Sequence, residues 1–133
     1  MSVKRFGVSL EEQMLSKLDK LVQKENFPNR SRAIGFLIQD HDVEEKWEGD
    51  EIVAGAIVLV FDHHKRDLQK QLTAIQHDYH SVILASQHLH LNHNDCLETI
   101  SVKGKASQLV KLANQLKAVK GIKHGDIVMS TTT

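Results

Sequence analysis

Cysteine, proline, tryptophan and tyrosine each occur only once in these 133 residues. One cysteine excludes an intrachain disulfide framework. One proline beside seven glycines, in a chain that is 41% apolar, excludes a disordered or low-complexity polymer and leaves a folded protein. Net charge is also missing, because 17 basic residues balance 17 acidic ones. Uniform attraction to nucleic acid is thereby excluded, and any DNA contact needs a local patch. No apolar run approaches the roughly 20 residues of a membrane-spanning helix. The opening Met-Ser-Val-Lys-Arg-Phe-Gly-Val-Ser-Leu has no signal-peptide core, so a cytoplasmic location is expected. There is no P-loop, no Gly-x-Ser-x-Gly and no His-Glu-x-x-His, so the familiar enzyme signatures are absent.

Histidine is abundant. There are nine, and His77, His80, His88, His90 and His93 fall within seventeen residues, with Cys96 directly after. The charge is also segregated. Residues 1–39 hold seven basic and four acidic groups, whereas 40–51 hold seven acidic groups and only Lys46 as a base.

Residues 3–10 alternate, with Phe6, Val8 and Leu10 opposite Arg5, Gly7 and Ser9, which predicts a strand with one wet face. Leu10, Met14, Leu18, Leu21 and Val22 then recur at helical spacing, with Ser9 as the expected N-cap. Pro28 in the stretch 26–29 breaks this helix. A second starts near Arg30, capped by Asn29 or Ser31. The tail 48–51 of the acidic stretch reads as a linker, and Trp47 is expected to pack against it. From Ile52 an apolar run to Phe61 predicts a buried strand. A helix over 64–80, a strand over 82–91, a turn at 92–95, a strand over 96–102, a helix over 109–119 ended by Gly121, and a strand over 122–129 follow. The fold class is α+β: a β-α-α unit over 1–46, a linker over 47–51, and a ferredoxin-like β-α-β-β-α-β unit over 52–133. A 45-residue unit rarely buries enough apolar surface alone, so the first is expected to dimerise by pairing strands. Two-stranded ribbons are among the readers of the DNA major groove.

His88 and His90, at i and i+2 of a strand, share one face. A turn centred on His93 sets Cys96 opposite His90, with Cβ atoms about 5 Å apart. Two imidazoles and a thiol then meet on one patch. A fourth donor could come from His77, His80 or His93. Mixed nitrogen and sulfur ligation suits Zn, Ni or Cu rather than Mg or Ca, and spacing does not choose among them. Glu98, on the same strand face, could orient an imidazole behind the ligands. On the first strand, Arg5 could bond guanine bidentately and Ser9 could contact either kind of base. Asn29, Arg30 and Ser31 offer a helix N-terminus to a phosphate, and Lys65 and Arg66 could touch DNA backbone. His63 and His64 read mainly as surface residues, with a weaker second metal site as their other use. His41 and His124 carry no assignment.

These blocks resemble the nickel-responsive transcriptional regulators, the NikR family. Gln76-His77, His88-Leu89-His90, Cys96-Leu97-Glu98 and Val102-Lys103-Gly104 carry the resemblance, with Asp62 to Leu68, Arg5 to Ser9 and Asn29-Arg30-Ser31. It covers essentially the whole chain. The resemblance implies a ribbon-helix-helix DNA-binding domain, an ACT-like metal-binding and tetramerisation domain, and a homotetramer. It implies one square-planar Ni(II) per chain, held by His88, His90 and Cys96 of one chain and His77 of a neighbour. It also implies nickel-gated binding of a palindromic double-stranded operator and repression of nickel-uptake genes, with Arg5, Gly7 and Ser9 at the base-reading positions. No membrane partner, small-molecule substrate or enzymatic activity is implied. Gly7 offers no side chain where relatives often carry threonine or serine. Arg32 and Phe36 stand where some relatives carry acidic residues that help hold a monovalent cation. A metal buffer, an effector-sensing regulator of the same fold and a thiol enzyme are the competing classes.

Overall fold

The computed structural model describes residues 2–133, in two compact units that divide between His41 and Asp42. In the first, residues 2–11 form neither helix nor strand. The strand expected over 3–10 is therefore not formed in the single chain. A strand needs a hydrogen-bonding partner, and nothing in this unit offers one. Helix α1 spans Glu12–Lys24 and starts at Glu11 without a side-chain cap, so Ser9 is not its N-cap. Asn26, at φ +59°, turns the chain toward Pro28. Helix α2 spans Arg30–Glu48. Asn29 caps it, its Oδ1 accepting the Arg32 amide at 2.8 Å. The acidic stretch continues this helix, and an i,i+4 pair between Asp42 and Lys46 at 3.1 Å supports its last turns.

The second unit contains β1 (Ile52–Asp62), α3 (Arg66–Asp78), β2 (Ile83–His90), β3 (Asp95–Lys105), α4 (Ala106–Lys117) and β4 (Ile122–Met129). The sheet is antiparallel, in the order β2-β3-β1-β4. This is the arrangement of an ACT-like domain, and its strand-helix order follows the periodicities of the sequence. One face of the sheet, carrying Val53, Ile57, Leu59, Phe61, Ile100 and Val102, is buried with Leu68 and Leu72 of α3 and Leu109, Leu112 and Leu116 of α4. Each large aliphatic side chain so buried contributes roughly 1.5–3 kcal/mol.

Trp47 enters this same core at 8% exposure rather than covering a loose linker. Residues 49–51 form a turn fixed at both ends. Gly49 and Glu51 donate amides to Glu45 and Lys46, and Asp50 accepts the Ser107 amide at 2.8 Å at the start of α4. That bond holds the Asp50 carboxyl below its usual range. Gly121 sits at φ +101° in the turn after α4, where a Cβ would come within 2.7 Å of Leu68.

Candidate metal centre

The β2–β3 hairpin builds the site. Asn92 ties its turn, its Oδ1 accepting the amides of Asn94 and Asp95 at 2.9 and 2.8 Å. The resulting register sets His90 opposite Cys96 and His88 opposite Glu98. Directly paired residues share a face, so these four side chains project to the side covered by the helices. On β1, Phe61 pairs with Cys96 and Leu59 with Glu98, which extends that face into the core.

Position within the sheet then separates the four. β3 is interior, so Cys96 is 1% exposed and Glu98 3%. β2 is the edge strand, and His88 and His90 remain exposed. A thiol and a carboxylate thus lie at the floor, with two imidazoles at the rim. Burial pushes the Cys96 thiol above its usual range, and the negative charges of Glu98, Asp95 and Asp62 push it the same way. A cation beside the sulfur would reverse that electrostatic balance, because a ligating thiol is deprotonated.

Glu98 is the one buried charged residue among those described. An isolated buried carboxylate is costly, so its partners matter. His88 Nε2 lies 3.1 Å from Oε2, and the Gln76 amide donates to the same oxygen at 3.2 Å. Glu98 therefore touches an imidazole, as its strand position suggests. In the sequence Gln76 belongs to the resemblance but has no role of its own. Its place beside His77 is the available signal, but helical spacing alone does not aim it at a strand 22 residues away.

His77 lies in the last turn of α3. With His80, Gln76, Phe61, Ser86, His88 and Glu98 it lines an open cleft of about 530 Å³. The cleft brings His77 and His88 of one chain to one depression. Among the described residues, no three histidine, cysteine, aspartate or glutamate groups close within a single chain to hold a metal. The donor chemistry still fits a borderline metal such as Ni(II), with one thiol and two imidazoles on one hairpin and a carboxylate behind His88.

Beside the turn, the His63 ring lies 4.0 Å from that of His64 and 4.6 Å from that of His90. His63 Nε2 is 2.8 Å from the His93 carbonyl oxygen, and His64 bonds Asp62. His63 is thus tied to the hairpin turn and His64 to the end of β1. His80 bonds the His77 carbonyl through Nδ1 at 3.0 Å. Lys65 and Arg66 stand exposed at the start of α3. In the first unit, Arg5, Gly7 and Ser9 are exposed on the segment that precedes α1. Arg30 grips Asp19 of α1 with two hydrogen bonds of 2.8 and 3.0 Å, so its side chain joins two helices. Ser31 is exposed in the first turn of α2.

Comparison with known proteins places this geometry. Residues 54–130 match the model of the NikR C terminal nickel binding domain. A protein of Syntrophus aciditrophicus named "Putative nickel-responsive regulator" is 46% identical over 126 residues, covering 95% of this chain and 92% of its own. Relatives of the same name from Geobacter sulfurreducens and Thermococcus onnurineus are 47% and 43% identical, covering 96% and 99% of this chain and 93% and 96% of their own. An uncharacterized protein of Thermotoga maritima shares the fold over 59% of this chain and 98% of its own, with a TM-score of 0.54 at 15% identity. No helix among the described residues is long and apolar enough to cross a membrane. The family is one of regulators, not enzymes. The chain belongs to the nickel-responsive regulators, and its second unit carries the family's nickel-binding domain.

Proposed function

We propose that this chain is a cytoplasmic, nickel-dependent regulator that binds a palindromic operator in double-stranded DNA when Ni(II) is bound and represses nickel-uptake genes. The observation that carries the proposal is the pairing of His90 with Cys96 across the hairpin, with His88 on the same face and Glu98 behind it. In this reading His88, His90 and Cys96 hold one Ni(II) per chain, and His77 of a neighbouring copy completes the set. Three donors that leave a metal site open in one chain are what such sharing requires. Bound nickel would supply a cross-link between a hairpin and a helix end of another copy.

The chain's own residues do the rest. Glu98 orients the His88 ring by accepting from Nε2, and Gln76 keeps that carboxylate in place. The site excludes most water from the thiol, so deprotonated sulfur is stable only beside a cation. Residues 1–46 act as a ribbon-helix-helix unit, joined through 47–51 to the metal-binding and tetramerisation part, 52–133. The segment 3–10 pairs with that of a second copy, and two such dimers flank a tetrameric core. An apolar groove of about 280 Å³ lined by Leu10, Met14, Leu18, Leu21, Ile34 and Leu37 supports that pairing. So do the exposed Val3, Phe6 and Val8. On the paired ribbon Arg5 reads a base, Ser9 assists beside Gly7, and the turn Asn29-Arg30-Ser31 meets a phosphate. Lys65 and Arg66 touch the backbone.

The test is a nickel titration of metal-free protein, read by absorption, with Cys96→Ala alongside. One tight nickel per chain with a thiolate charge-transfer band, absent in the variant, is expected. Duplexes selected from a random pool should bind more tightly with nickel than without. An octahedral spectrum that Cys96→Ala leaves unchanged would overturn the ligand set. Equal DNA affinity with and without nickel would overturn the gating.

A further inference from the structure

Trp47 and residues 130–133 meet at a place that the nickel site does not explain. The indole Nε1 donates to the Ser130 carbonyl at 2.8 Å. The Ser130 amide donates to the Ala54 carbonyl on β1 at 2.9 Å. Gly55 makes room for the ring. A Cβ there would stand 3.4 Å from the indole and 2.6 Å from the Val128 carbonyl oxygen. One residue earlier, Lys46 Nζ donates to Thr133 Oγ1 at 2.6 Å and to Thr131 Oγ1 at 3.3 Å, while pairing with Asp42 at 3.1 Å. The Thr133 amide returns to Thr131 Oγ1 at 3.2 Å, which folds the segment over the lysine. Val43 packs on the same core.

All these contacts lie inside the second unit, and they converge on the last two turns of α2. That helix is the covalent path from the basic unit into the metal-binding one. A helix transmits a displacement only if one end is held. Here a segment more than eighty residues away in sequence does the holding, through one indole and one ammonium.

We infer that residues 130–133 and Trp47 form a clamp that fixes the end of α2 on the sheet, and that the effect of metal on DNA binding travels through this clamped end. The second clause rests on the proposed function. Coupling between two sites is a free energy, and the clamp contributes to it by leaving α2 one anchored position rather than several.

The experiment compares the full chain with Lys46→Met, which keeps the lysine stem and removes its donors, and with Trp47→Phe, which keeps a buried ring and removes its N–H. The nickel absorption band should be unchanged in both. Amides of 44–51 should exchange about tenfold faster, as expected for one or two lost hydrogen bonds. The nickel-induced gain in affinity for the selected duplex should fall by about the same factor. Unchanged exchange in both variants would refute the clamp. Faster exchange with an undiminished nickel gain would refute its part in coupling. A wild-type chain whose DNA affinity ignores nickel would sink the proposed function and the coupling together, while the exchange rates would still decide whether the clamp exists.

Discussion

Among the described residues up to His41, Ala33 is the one buried apolar side chain, whereas the 42–133 unit closes a core of seventeen. The two units contain the same kinds of residues. Val3, Phe6, Val8, Leu10, Met14, Phe36, Leu37 and Ile38 stand exposed in the first, and α1 buries nothing. The second has a sheet on which two amphipathic helices can lie. The first has two helices and a segment before α1 with no sheet to join. Apolar surface on that scale is retained where a partner covers it. One unit thus closes a core within a single chain, while Ile52, Leu84, Leu89, Leu91, Val128 and Met129 stay exposed on it, and the other closes almost none and makes physical sense as half of something.

The sharpest way to break this contrast is to damage the complete unit. Leu112, fully buried on α4, faces the sheet. Leu112→Ala should cost about 2–5 kcal/mol in denaturant unfolding of the second unit, measured against wild type at the same protein concentration. A loss below about 1 kcal/mol would mean that this core is not closed around Leu112. Phe6→Ala should act in the opposite manner. Its cost, about 1.5–3 kcal/mol per chain, should appear as weaker self-association and a lower transition of the first unit only on dilution. Sedimentation that shows the same assembly at all concentrations would remove Phe6 from the interface.

The same contrast explains what was legible in the sequence. In the second unit, hydrophobic period and packing agree. The strand-helix order and the hairpin register could therefore be read from Leu68 and Leu72, from the apolar run after Ile52, and from the turn at 92–95. His90 opposite Cys96 followed from that turn alone. The first unit's strand was read from equally good alternation at 3–10, yet alternation records a preference that only a neighbouring strand can satisfy. The tail of the acidic stretch differs for another reason. Its composition resembles a linker, but α2 runs on to Glu48, and Val43 and Trp47, one helical turn apart, dock together, which no composition count sees. Gln76 and the Lys46–Thr133 contact depend on tertiary proximity and leave no local pattern.

The proposed ligands, His77 included, all lie in the second unit, so their tuning should be readable on metal binding directly. Glu98→Gln keeps the size and an acceptor for His88 Nε2 but removes the charge. Outer partners of ligands typically contribute 10–100-fold to metal affinity, and a loss within about that range is expected. The charge-transfer band should persist, because Cys96 is untouched. Its disappearance would make Glu98 part of the ligand set rather than its support.

The smallest effect concerns the turn that joins α2 to β1. Asp50, at φ +53°, accepts the Ser107 amide, and that bond lowers its pKa from 3.8. The folded chain therefore holds this proton less tightly than the unfolded chain. The resulting stability is fully present above the unfolded value near pH 4 and is lost as pH falls through the depressed folded value. Asp50→Asn tolerates the same backbone and keeps the acceptor, but cannot titrate. Unfolding midpoints of the second unit should drop less steeply for the variant than for wild type as pH falls below about 4. Parallel curves would show that the turn is held by its backbone bonds to Glu45 and Lys46 and not by the Asp50 charge at the start of α4.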